Sequence, residues 1–256
     1  MVELRDVSLS YAHKHKRKSA ALGQVNALFE RGKFSAVIGP SGCGKTSLIK
    51  IIAGLLVPDE GAIRGANGQT AVIFQDYGLL PWKTVRDNAE LPLLIRGVRR
   101  NGREKVMTLL EEFGLGSFAG HYPQQLSGGM RQRLAIVRAL ACEPELLLMD
   151  EPFSSLDALT RESAQDFILS VQRTRRLTVI MVTHSIEEAV YLADMVYVMS
   201  GVNPGSITGR VAISRNGDSP RDRFREAPIF QEYCGILRRD YLRKPVITSS
   251  LNGEIS

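Results

Sequence analysis

No run of about eighteen apolar residues occurs in the 256-residue sequence, so nothing in it reads as a membrane-spanning helix. Cysteine is scarce. Cys43, Cys142 and Cys234 lie far apart and form no CxxC pair, which supports neither a zinc site nor a disulfide framework. The opening residues, MVELRDVSLSY, alternate and carry charge from the third position, unlike a secretory leader. The expectation is a chain that stays in the cytoplasm. Internal repeats and low-complexity segments are also missing. The net charge of +6 leaves three readings open: nucleic acid, an anionic membrane surface, or a mildly basic soluble protein. HKHKRK (13–18) reads as a solvated loop between two strands, and LRRDYLRK (237–244) lies in the tail. Neither is interleaved with aromatics, as a single-strand groove would be.

What is present points to an α/β chain. Hydrophobic residues make up 44% and charged residues 23%, enough for one large domain or a core with a subdomain. Val7, Leu9 and Tyr11 alternate with polar residues, as do Val25, Ala27 and Phe29, predicting two half-buried antiparallel strands. Residues 34–38 form a short apolar run suited to a buried strand. From Thr46, apolar residues recur at helical spacing through Leu55 and Leu56, with Pro58 predicted to end that helix. Residues 71–74 read as a strand. Residues 84–143 carry helical periodicity and no convincing strand, ending in a helix over 130–141. Apolar strands return at 145–151, 177–184 and 195–200, separated by helices, which predicts a parallel sheet covered on both faces. GSITGRVAIS reads as a closing hairpin. Phe230, Tyr233, Leu237 and Tyr241 fit one helical face.

The chemistry starts with GPSGCGKT (39–46), between a predicted strand and a predicted helix. Gly39, Gly42 and Gly44 permit a tight turn that brings backbone N–H groups against phosphates, and the helix N-terminus points at the same spot. Pro40, Ser41, Cys43 and Ser47 belong to the same cradle. Lys45 is placed to reach β- and γ-phosphates and Thr46 to hold Mg²⁺, as the GxxxxGK[ST] pattern requires. Cys43 reads as filler that could sensitise the site to thiol reagents. Hydrolysis needs a metal carboxylate and a water-orienting group. LLLMDEP supplies both: Asp150 for Mg²⁺ and Glu151 as general base. Gln75 and His184 follow strands, where ligands collect in open α/β sheets. Gln75 is a candidate for Mg²⁺ or the attacking water, His184 for the γ-phosphate.

LSGGMRQR (126–133) has no obvious role beside a single phosphate loop. With it, the chain resembles the ATP-binding-cassette (ABC) ATPases over nearly all of residues 1–210. The resemblance implies that Leu126, Ser127, Gly128 and Gly129 complete the ATP site of an opposite subunit. Met130 stands where glutamine is commonest. It implies that Tyr11 stacks on adenine, the other reading being a buried strand tyrosine. It also implies that Asp157, in SSLD, crosses the dimer interface and that His184 is a switch histidine. The implied fold is a P-loop NTPase core with a parallel sheet flanked by helices, an N-terminal antiparallel β subdomain and an inserted α-helical subdomain. The expected limits are 1–83 and 144–214 for the core, 84–143 for the helical insert with the signature, and 215–256 for a helical tail.

LLPW (79–82) is similar to the nitrate/sulfonate/taurine group of import ATPases, as are EPFSSLDALTRE and VTHSIEEAVYLADMVYVMS. In that group the segment lines a groove for a helix of the membrane subunit. Trp82, the single tryptophan, is the candidate contact, or else a core filler of the helical insert. The implied function is a homodimeric, Mg²⁺- and ATP-dependent energy-coupling subunit on the cytoplasmic face of the membrane. Its implied partners are permease subunits and, indirectly, an extracytoplasmic solute-binding protein. The competing readings are a soluble cassette ATPase acting on nucleic acid or the ribosome, and an exporter subunit. Relatives of the former carry two cassettes or a long coiled coil, neither present here, and nucleic acid is not an expected partner. LLPW disfavours the exporter.

Overall fold

Two sheets share one hydrophobic core in the computed structural model, which describes residues 1–12, 18–65, 69–98, 102–201, 203–214 and 224–242. In the smaller sheet, β1 (Val2–Ala12) pairs antiparallel with β2 (Lys18–Phe29) and with β4 (Glu60–Arg64). Val2, Leu4, Val7 and Leu9 are all buried although the spacing slips by one between Leu4 and Val7. The register shifts there, and Asp6 takes φ +50°, so a bulge restores the inward face. β4 carries no alternating apolar signal in EGAIR; only Ile63 leans on the core.

The larger sheet runs β5-β6-β7-β3-β8-β9. Its strands are β3 (Phe34–Ile38), β5 (Thr70–Ile73), β6 (Leu146–Asp150), β7 (Thr178–Thr183), β8 (Met195–Met199) and β9 (Ile207–Ala212). All pairs are parallel except β8 with β9. β3, β6 and β7 are buried along their whole length, hence their continuous apolar runs. Alternate residues serve opposite faces. Val37, Leu146, Leu148 and Ile180 pack toward α1 (Lys45–Ile52) and the small sheet. Ala36, Leu147, Met149 and Met181 pack toward the remaining helices. Each Val, Leu, Ile or Met side chain among these contributes roughly 1.5–3 kcal/mol on full burial.

Between β5 and β6 the chain is helical, as expected: α2 (Val85–Ile95), α3 (Gly102–Glu112) and α4 (Gly128–Leu140). Thr84 caps α2 by accepting from the Asp87 N–H. α5 (Ala158–Arg175) and α6 (Ile186–Leu192) connect β6, β7 and β8. In the tail, α7 (Pro228–Leu242) buries Phe230, Cys234 and Leu237. Tyr233 is partly buried, and the side chain of Tyr241 lies outside the described ones.

Three expectations are corrected. α1 ends at Ile52, well before Pro58. Gly54 takes φ +72° and the Leu55 N–H returns to the Lys50 carbonyl, a left-handed glycine stop that leaves Leu55 exposed. GSITGRVAIS supplies one strand, β9, whose hairpin partner is β8. α4 begins at Gly128, two residues ahead of expectation, because Ser127 is already the cap. Residues 13–17, 215–223 and 243–256, which hold most of the HKHKRK segment and parts of the tail, lie outside the described residues.

Candidate active site

Residues 39–44 turn from the end of β3 into α1 with φ +83° at Gly42 and +99° at Gly44. A Cβ at Gly44 would sit 2.7 Å from the Ala21 carbonyl oxygen, so glycine is required there for both space and backbone. The turn opens a cleft lined by Tyr11, Ser41, Gly42, Gly44, Lys45, Thr46, Ser47 and Glu151. Sequence reasoning missed four more lining residues: Ser19, Ala20 and Ala21 from β2, and Asn203. They carry no local signal. They reach the cleft because Gly205 bridges to the β2 edge through the Gly23 N–H and Ala21 carbonyl.

Lys45 is 5% exposed. Its ammonium donates to the carbonyls of Gly39 at 2.7 Å and Pro40 at 3.0 Å, and lies 3.9 Å from Glu151 Oε1. Such a buried charge is tolerable only with partners of this kind. The other Glu151 oxygen is 3.0 Å from His184 Nδ1. His184 follows β7 and is exposed. Glu151 itself follows β6 with φ +46°, strained for a side chain of its size. Its N–H donates to the Val182 carbonyl of β7.

The Thr46 hydroxyl donates to Asp150 Oδ1 at 3.3 Å. Burial pushes the Asp150 carboxyl above its ordinary range; the Thr46 bond partly offsets this, and the neighbouring Glu151 charge adds to it. A hydroxyl beside a carboxylate whose burial outweighs the nearby Lys45 and Lys50 charges fits Mg²⁺, which takes one or two protein oxygens and fills its shell with phosphate and water. Among the described residues no three His, Cys, Asp or Glu side chains form a full protein cage.

Tyr11 is 39% exposed on the cleft rim, its hydroxyl 3.0 Å from Ser47 Oγ, so it is not a buried strand tyrosine. Cys43 is buried against Gly39, and burial raises its thiol pKa, which makes it inert filler rather than a reagent target. Gln75 is exposed beyond β5 and does not line the cleft. The pairing of Ile73 with Met149 places it just past the end of the strand beside the one that ends at Asp150.

The signature residues are elsewhere. Ser127 caps α4, its hydroxyl accepting from the Met130 N–H at 3.3 Å, and is exposed; Leu126 is buried beneath. None of the four lines the cleft. A Cβ at Gly128 would lie 3.1 Å from Leu156 and one at Gly129 2.9 Å from Thr160, so the glycines admit the segment that carries Asp157. Asp157 is exposed and caps α5 through the Thr160 N–H, which lowers its pKa. Trp82 is 70% exposed, which removes the core-filler reading.

Residues 22–154 match the family described as ABC transporter. The chain is 38% identical over 245 residues to a nitrate import ATP-binding protein of Synechocystis sp., covering 91% of each. It is 44% identical over 223 residues to an aliphatic sulfonates import ATP-binding protein of Bacillus licheniformis, covering 84% of each. A solved dimeric, post-hydrolysis ATP-binding cassette bound to ADP and Pi aligns at TM-score 0.73 and 30% identity, over 84% of this chain and 100% of that one. With a phosphate-loop cleft of this build and similarity along most of its length, the chain belongs to the ABC transporter family.

Proposed function

We propose that this chain is the ATP-hydrolysing, energy-coupling subunit of an importer for a small organic anion or related solute. One observation carries the hydrolytic reading: Glu151 stands at the cleft between the Lys45 ammonium and the His184 ring. The backbone N–H groups of 39–46 and the end of α1 bind the phosphates. Lys45 exchanges its loop carbonyls for β- and γ-phosphate oxygens. Thr46 and Asp150 would hold Mg²⁺, which would supply charge stabilisation for phosphoryl transfer. Glu151 takes the proton of the attacking water, His184 holds the carboxylate and the γ-phosphate in line, and Gln75 approaches from beside β5. Tyr11 stacks on adenine at the rim.

The second half of the site comes from a second copy. Ser127 and Gly129 present a capped, exposed helix end that does not face this chain's own cleft. Two copies set head to tail bring each signature onto the other's ATP, with Asp157 at the seam. The dimeric state of the similar cassette supports this arrangement.

Permease contact is assigned to the surface around Trp82, an exposed aromatic of the kind that anchors a helix in a groove. The nitrate and sulfonate import names of the relatives support an importer on the cytoplasmic face of the membrane, fed by a solute-binding protein. We take the nucleotide-binding core as 1–83 and 144–214, the helical insert as 84–143 and the tail as 215–256. The test is affinity capture of the tagged chain from its own membranes with mass spectrometry. Co-purification of a polytopic membrane protein and a solute-binding protein is expected. Ribosomal proteins or nucleic acid in their place would overturn the importer reading.

A further inference from the structure

The carbonyl of Pro152, one residue beyond Glu151, accepts two buried hydrogen bonds. One comes from Gln132 Nε2 at 3.1 Å, the other from the Tyr77 hydroxyl at 3.2 Å. Gln132 is 1% exposed and lies on α4, one turn beyond Gly128. Tyr77 belongs to the loop that follows Gln75 and, like Glu151, holds a left-handed backbone, at φ +60°. Arg138, also on α4, secures that loop by donating to the carbonyls of Tyr77 and Gly78. Two strained turns are thus fastened to one helix, and that helix begins at the signature cap Ser127. Strain of this kind persists only where surrounding contacts over-determine it. Neither Gln132 nor Tyr77 lines the cleft.

We propose that Gln132 and Tyr77 are positioning residues that hold the strained turn aiming Glu151 into the cleft, and that through Gln132 the signature helix is tied to this chain's own general base. The inference rests on the proposed role of Glu151. A signature engaged by the opposite subunit's ATP then acts on both sites: directly on that ATP, and through α4 on the glutamate of its own chain.

The experiment measures kcat for ATP hydrolysis and the Kd for ATP in the full chain. The variants are Gln132→Leu, Tyr77→Phe, the double variant and Glu151→Gln. Gln132→Leu is expected to lower kcat about tenfold and Tyr77→Phe about threefold, each with the Kd for ATP within about twofold. The double variant leaves a buried carbonyl with no donor, so its loss should exceed the product of the two. An unchanged kcat in Gln132→Leu, with Glu151→Gln inactive, overturns this inference alone. Full turnover by Glu151→Gln overturns it together with the assignment of the base. A loss shared equally by ATP affinity and by the folded fraction means a structural role only and also overturns it. Should Gln132→Leu not fold, Tyr77→Phe, which deletes a single hydroxyl, decides by the same criteria.

Discussion

Two glycine-rich segments start helices in this chain, and they use glycine for different reasons. In residues 39–46 the glycines supply backbone that other residues resist: φ +83° at Gly42 and +99° at Gly44. In residues 126–129 the two glycines lie at the start of a helix, and their missing side chains admit Leu156 and Thr160. The first segment wraps a cleft that this chain builds by itself. The second leaves a capped helix end exposed and does not line that cleft. Composition is similar in both. The physical need is dihedral freedom in one and close approach in the other.

The largest effect should come from emptying the cleft that the first region wraps of its chemistry. Glu151→Gln is expected to lower turnover by about 10²–10⁴-fold while ATP still binds. Lys45→Ala should abolish binding itself, read by nucleotide titration; undiminished affinity would sink the phosphate role of Lys45. Next, the two kinds of glycine separate in an alanine pair. Gly44→Ala should cost more than about 1 kcal/mol of folding free energy in denaturant titration, because its φ and the Ala21 carbonyl both exclude a Cβ. Gly129→Ala gains up to about 1 kcal/mol of helix propensity against its contact with Thr160, so its stability should change less. Equal losses would erase the distinction drawn above.

Ser127→Ala removes a cap worth about 1 kcal/mol locally, and ATP binding by a single chain should be untouched. Turnover should fall, and mixing with Lys45→Ala chains should restore part of it, since one composite site per mixed dimer is intact. No recovery would leave the two regions unconnected.

The smallest expected shift is one of folding stability, at Asp150. Burial raises the Asp150 carboxyl above its ordinary value, so the folded chain holds this proton more tightly than the unfolded one. Stability from this group therefore grows as pH falls through the raised value, and above it the ionised form is a liability. Asp150→Asn should melt higher than the parent at pH 7, with the gap closing on acidification. A gap independent of pH would remove the electrostatic account.

Much of the fold was readable because its signals are local. β3, β6 and β7 are short apolar runs since both of their faces are covered, and the helical stretch between β5 and β6 keeps its period. β4 was not readable: EGAIR holds one inward apolar residue and exists as a strand because β1 offers it an edge. The end of α1 was misread because Pro58 is the louder punctuation, while Gly54 stops the helix four residues earlier. Of the candidate site, the meeting of the phosphate loop, Asp150, Glu151 and His184 was legible, because strand ends gather at one edge of a parallel sheet. Asn203 and the β2 lining were not, because their approach depends on a bridge between distant segments.

By itself the sequence determined the inventory and its order: a phosphate loop after a buried strand, a carboxylate pair after another, a histidine after a third. Those follow from residue type and short-range period. Tertiary structure alone decided which groups meet. It put Tyr11 on the rim, left Trp82 in solvent, buried Cys43, and turned Ser127 away from the cleft of its own chain. It also brought Gln132 and Tyr77, far apart in the chain, onto one carbonyl beside Glu151. The reason is physical. A side chain's local pattern fixes the face it occupies on its own helix or strand, but its partner across the core is set by how the sheets and helices pack.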